Sequence, residues 1–114
     1  MKEYLEKNFL RKLGLARRAG ETVIGQDRLR AAISAGKGPF ILFFSQDASP
    51  AVERRLAGIA HERAKWVFHL ETVSRWELGA ALGLASAQVV GLRTASQFTE
   101  MLLEDLRREG DVIE

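Results

Sequence analysis

Pro39-Phe40-Ile41-Leu42-Phe43-Phe44 is the stretch on which the fold turns. Every position from 40 to 44 is apolar, so a strand built there has no polar face and must be covered on both sides. That places it at the centre of a sheet, between two layers of helix. Upstream, Leu29, Ala32, Ile33 and Gly36 recur at helical spacing and form the inner face of a short helix. Thr22-Val23-Ile24 precedes that helix as a short strand closed by Gly25. Before it, Leu5, Phe9, Leu13 and Ala16 fall at i, i+4, i+8 and i+11, a helix that Gly20 ends. Downstream, Ser49-Pro50 reads as an N-cap followed by proline in the first turn, opening a helix to about His61 with Val52, Leu56, Ile59 and Ala60 inward. Trp66-Val67-Phe68 is a third strand. Ser74-Arg75-Trp76-Glu77 has capping-box spacing and opens a helix to about Leu82, stopped by Gly83. Val89-Val90-Gly91-Leu92 is a fourth strand, and Thr94 starts a last helix with Phe98, Met101, Leu102 and Leu106 on one face. The order is α-β-α-β-α-β-α-β-α. By itself, this alternation predicts an α/β domain with a largely parallel sheet.

The chain has 114 residues, a length that suits one domain over 1–114. It contains no cysteine, which excludes a disulfide scaffold, thiolate metal sites and thiol catalysis, and which fits a reducing compartment. The start is charged throughout, without the apolar core of a signal peptide, and the longest apolar run is far short of the ~20 residues a spanning helix needs. The expectation is a soluble, cytoplasmic protein with no membrane partner. The formal net charge of +2 is unevenly spread. Residues 1–37 hold nine Lys and Arg against four Asp and Glu, a balance of +5, whereas the remainder stands at −3. A basic end on a mildly acidic body is the footprint of a polyanion-binding protein.

Signs of catalysis are weak. His61 and His69 have no partner at metal-ligand spacing. Gly36-Lys37-Gly38 resembles a phosphate loop at a glance, but Ala31 and Gly38 stand where a Walker loop needs Gly and Ser or Thr. No nucleophile elbow or dinucleotide fingerprint is present. The expectation is a protein that is not an enzyme, with no metal and no cofactor. Signs of binding are better. Arg11, Lys12, Arg17 and Arg18 crowd the second half of the first helix. Gly25 then opens a helix directly after a strand, where unpaired N–H groups suit a phosphate or a base edge.

Leu13-Gly14-Leu15-Ala16-Arg17-Arg18-Ala19-Gly20 resembles the opening of bacterial members of the kink-turn RNA-binding superfamily. That group includes the archaeal ribosomal protein "L seven Ae" and the bacterial YlxQ-like proteins. The resemblance continues through Val23-Ile24-Gly25, Gly36 and the apolar central strand. Ser45-Gln46-Asp47-Ala48-Ser49-Pro50 and Leu78-Gly79-Ala80-Ala81-Leu82-Gly83 also match. It implies a three-layer α/β/α sandwich with a four-stranded mixed sheet, so one strand of the parallel arrangement must reverse. It also implies RNA as partner, an association with the ribosome or with transcription termination, and an upstream YlxR-type domain in the natural chain.

The resemblance further implies two RNA-facing segments. In the first, the glycine is followed by a small polar residue, Asn, Glu and, six positions on, Lys; here Gly25 is followed by Gln26, Asp27, Arg28 and Ala31. Asp27 cannot repeat the two-way hydrogen bonding of an asparagine to a purine, and Ala31 reaches neither base nor phosphate. With Leu29 inward, Asp27, Ala31 and Ser34 face outward and Arg28 and Arg30 flank them. Together with Arg17, Arg18 and Lys37, those arginines would make a basic rim that holds phosphates with little sequence readout. The second segment is Gly83-Leu84-Ala85-Ser86-Ala87-Gln88, where Leu84 would pack on a flipped-out nucleotide and Ser86 would hydrogen-bond it; Leu84 packing beneath its own loop is the structural alternative. Trp66 is expected in the core and Trp76, in a helix's first turn, as a staple or partly exposed. A protein–protein adaptor that keeps the fold without RNA is the alternative function, and an enzyme on the same scaffold comes third.

Overall fold

The computed structural model describes residues 2–109 and 112–113, with side-chain surroundings for 7–56 and 67–105. The elements are α1 (Lys2–Arg18), β1 (Thr22–Ile24), α2 (Gln26–Ser34), β2 (Phe40–Phe44), α3 (Pro50–Arg63), β3 (Ala64–His69), α4 (Arg75–Ala81), β4 (Val89–Arg93), α5 (Gln97–Glu109) and β5 (Val112–Ile113). The sheet runs β1-β4-β2-β3-β5. β2 and β3 are parallel, whereas β4 is antiparallel to both β1 and β2. The largely parallel sheet is therefore corrected to a mixed one. Only β4 is reversed among the first four strands, but it lies between β1 and β2, so one reversal makes two of their three pairings antiparallel. The two-residue β5 adds an antiparallel edge beside β3 that the sequence reading lacks.

β2 divides its side chains between two cores by the strand period of two. Ile41 and Phe43 pack with Phe9, Leu13, Leu78, Leu102 and Leu103, beneath α1, α4 and α5. Phe40, Leu42 and Phe44 pack with Leu29, Ile33, Val52 and Leu56, beneath α2 and α3. On the first side Phe43 meets Phe9 edge-on at 5.1 Å and stacks on Phe68 at 5.4 Å. This is the α/β/α sandwich that five consecutive apolar residues demand.

The helix stops behave as their glycines suggest. At the end of α2, Gly36 (φ 75) lets its own N–H reach Ile33 O at 3.0 Å and the Lys37 N–H reach Ala32 O at 3.1 Å, the paired bonds of a left-handed helix end. Gly36 is thus the terminator of α2 and not part of its inner face. Ser49 caps α3 through its Oγ, which accepts from Val52 N at 3.3 Å, and Ser74 and Glu77 complete the capping box of α4. α5 starts later than Thr94: Ser96 caps it, its Oγ accepting from Phe98 N at 3.2 Å. In α5 Leu103 is buried while Met101 is exposed, so the inward face is rotated from the one expected. The expectations for the side chains of Leu5, Ile59, Ala60, His61, Trp66 and Leu106 lie outside the described side chains.

Candidate nucleic-acid interface

The strand-to-helix turn at Gly25 is fixed by its backbone. Gly25 sits at φ 91, ψ 152, a conformation open to glycine alone. Its N–H donates to Val89 O at 3.1 Å and its C=O accepts from Leu29 N at 3.0 Å, which anchors the start of α2 to β4. No side chain caps α2. The N–H groups of Gln26, Asp27 and Arg28 in its first turn are left for a ligand, with the positive end of the helix dipole behind them. α2 itself lies close on the sheet, because Gly91 leaves room for Leu29: a Cβ at 91 would stand 2.5 Å from Leu29 Cδ2.

The loop from Gly83 to Gln88 is held against the same turn. Leu84 N donates to Gly79 O at 2.8 Å and Ala87 N to Arg75 O at 2.9 Å. Gln88 fastens the far end, its C=O accepting from Ser45 N at 2.9 Å and its Oε1 from Ser49 N at 2.7 Å. Gly79 sets how near the loop lies to α4, since a Cβ there would stand 2.5 Å from Ser86 Cα. The base of α4 is clamped in turn by Asp47, whose Oδ1 accepts from Arg75 N at 2.8 Å and whose Oδ2 accepts from Arg75 Nε at 3.3 Å. Burial pushes the Asp47 carboxyl up, but the bonds and charge of Arg75 outweigh it and hold the group below its ordinary value.

These two constructions meet. Gly25, Gln26, Asp27, Arg28 and Ser86 line one cleft of about 420 Å³, floored by Val52, Ala87 and Val89. Gln26 Oε1 is buried and has no hydrogen-bond partner among the described residues. Leu84 does not pack beneath the loop. It is 41% exposed, and the residue across the helix end from it is Gly79, which offers no side chain.

The basic residues do not form one rim. Arg28 and Lys37 line a second cleft, of about 770 Å³, together with Arg93. Arg18 lines a different groove, between α1 and α4, with Leu10, Arg11 and Glu77. Arg17 and Arg30 are exposed and line none of these three clefts. Lys12 is tied to the buried Asp105 of α5, Nζ to Oδ2 3.0 Å. Arg18 thus lines a groove separate from that of Arg28 and Lys37, rather than one rim with them. Sequence reading gave no role of their own to Gln88 and Gly79, and it missed Arg93. Arg93 had a signal: it continues the i, i+2 row of Val89 and Gly91, the face of β4 that packs on α2.

Trp76 is 63% exposed at the start of α4. His69 Nε2 lies 2.7 Å from Glu53 Oε1, and its ring stacks on Phe44 at 5.2 Å, which accounts for it as a structural residue. No cluster of three or more potential metal ligands occurs among the described residues. Nor, among them, is any helix long and apolar enough to cross a membrane.

No protein-family model matches the chain, and no curated protein matches it. Among solved structures it is similar to a protein of unknown function from Bacillus halodurans, with a TM-score of 0.74 and 25% sequence identity, over 87% of this chain and 96% of that one. The likeness bears on the fold, which the two chains share over nearly their whole lengths.

Proposed function

We propose that this chain is an RNA-binding domain that takes a nucleotide in the cleft between the start of α2 and the Gly83–Gln88 loop. One observation carries the reading. Residues 25–28 and 86, some sixty positions apart and singled out separately by the resemblance, line the same cleft. Its chemistry suits a nucleotide: open N–H groups and Arg28 for a phosphate, the Ser86 hydroxyl for a base or sugar edge, and exposed Leu84 beside them. With Ala31 in place of a lysine, the expected mode is weak or supplemented binding with little sequence readout. The ribosome or the transcription machinery is the setting this reading suggests, with an upstream YlxR-type domain adding affinity.

Binding to a kink-turn RNA, a plain duplex and a single strand, each across a salt series, tests it. The reading expects a steep salt slope, and expects Arg28→Ala to weaken binding to all three RNAs alike. The adaptor alternative rests on Trp76, too exposed at 63% for a core residue. It is favoured if no RNA binds at about 50 mM salt, where phosphate contacts are strong.

A further inference from the structure

We infer that the second cleft, between α2 and the edge strand β1, is a track for the sugar–phosphate backbone leaving the first cleft, with Arg28 shared between the two and Lys37 and Arg93 as its other phosphate ligands. The inference rests on the RNA-binding reading and adds to it the path of the strand.

Three elements deliver the three cations. Arg28 belongs to the first turn of α2. Lys37 follows the helix end at Gly36, its N–H fixed to Ala32 O at 3.1 Å. Arg93 is the last residue of β4, one beyond the Thr22–Leu92 pair at which β1 begins, so no β1 residue lies opposite it. The period of two puts it on the α2 face, and Thr94 N, bonded to Pro39 O at 3.1 Å, holds the chain there. None of these three side chains has a carboxylate partner among the described residues. Glu21 is the one carboxylate in the lining, which leaves the cleft net positive.

The rest of the lining suits a polyanion. Ala31, Ala32 and Ala35 present no side chain that would block close approach. The alanine that removes a lysine from the outer face of α2 therefore opens a floor on which flanking cations can act. Thr22 also lines the cleft, though its Oγ1 is enclosed and has no hydrogen-bond partner among the described residues. From position 28 to position 35 the helix rises about 10 Å, the axial length of about three phosphates along one strand of a duplex.

The test is a salt series on the full chain, using a kink-turn RNA and a single-stranded oligouridylate as probes. Relative to wild type, Lys37→Gln/Arg93→Gln is expected to flatten the slope of log K against log salt by about 1.4–1.8, two phosphate contacts at about 0.7–0.9 each. Glu21→Gln should tighten binding and leave thermal unfolding unchanged. Leu84→Ala, in the Gly83–Gln88 loop, should weaken binding with the slope intact. If the double variant keeps the wild-type slope while Leu84→Ala still weakens binding, the track is wrong and the RNA reading stands. If wild type binds neither probe at about 50 mM salt, both fall. All three charged residues are exposed or half-buried on the surface, so circular dichroism should find the variants folded.

Discussion

Gly79→Ala is the substitution that most sharply separates this account from a generic view of the fold. In an exposed helix the change stabilises, since alanine exceeds glycine in helix propensity by about 1 kcal/mol. Here the new Cβ would stand 2.5, 2.7 and 2.8 Å from the Cα, N and C atoms of Ser86. Carbon atoms pack best at about 3.5–4.0 Å, so a shift on the order of 1 Å is required. The neighbour is backbone and cannot rotate away. The loop that must yield is fastened at Gly79, Arg75, Ser45 and Ser49. Overpacking of this kind costs about 1–3 kcal/mol, which offsets or exceeds the propensity gain. The net expectation is a loss of about 0–2 kcal/mol, or a fall in Tm of up to about 8 °C for a chain of this size. Because the displaced atoms belong to Ser86, RNA affinity should fall with the salt slope unchanged, as the cations of the second cleft stay where they are. Thermal unfolding and RNA titration of the same sample read both effects. A Tm several degrees above wild type with unaltered affinity would refute the reasoning.

Lys12→Met leaves the Asp105 carboxylate, 4% exposed, without its cation, and should cost about 1–3 kcal/mol in urea unfolding, below the full range for a buried pair because Lys12 is 22% exposed; Lys12→Met/Asp105→Leu should recover most of that loss. Asp47 titrates below its ordinary value of 3.8 in the folded chain. Its stabilising effect is therefore present above the unfolded value and lost as pH falls through the folded one, so Asp47→Asn should flatten the decline in stability below about pH 4 in acid titrations. Trp76→Ala should change stability by no more than about 0.5 kcal/mol, as expected of an exposed residue. Retained RNA binding by that variant would keep Trp76 outside the interface, and lost binding would extend the interface along α4.

Much of the architecture was legible because it is local. Five apolar residues in a row forced a doubly covered strand, and glycines at 20 and 83 marked two helix ends, whereas Gly36, read as part of the inner face of α2, proved to end that helix. Strand direction was not legible, since alternating hydrophobicity is the same read forwards or backwards, and β4 reversed unnoticed until the resemblance required a mixed sheet. The two halves of the candidate cleft were found separately, but only the fold brings residues 25–28 beside 86. The basic residues show the opposite error. Arg17 and Arg18 are near α2 in sequence, yet Arg18 lines the α1–α4 groove, while Arg93, remote in sequence, joins Arg28 and Lys37. Lys12 looked like part of the same basic cluster until its partner, 93 residues away, took it out of play.

The central claim, that the α2 turn and the Gly83–Gln88 loop form an RNA site, is tested most directly by titrating the 15N-labelled chain with a kink-turn RNA and following backbone amide shifts. The account predicts the largest changes at Gly25, Gln26, Asp27 and Arg28 and at Leu84 to Gln88, with smaller ones at Lys37 and Arg93. Changes confined to the α1–α4 groove around Arg18 and Glu77, or no changes at all, would contradict it.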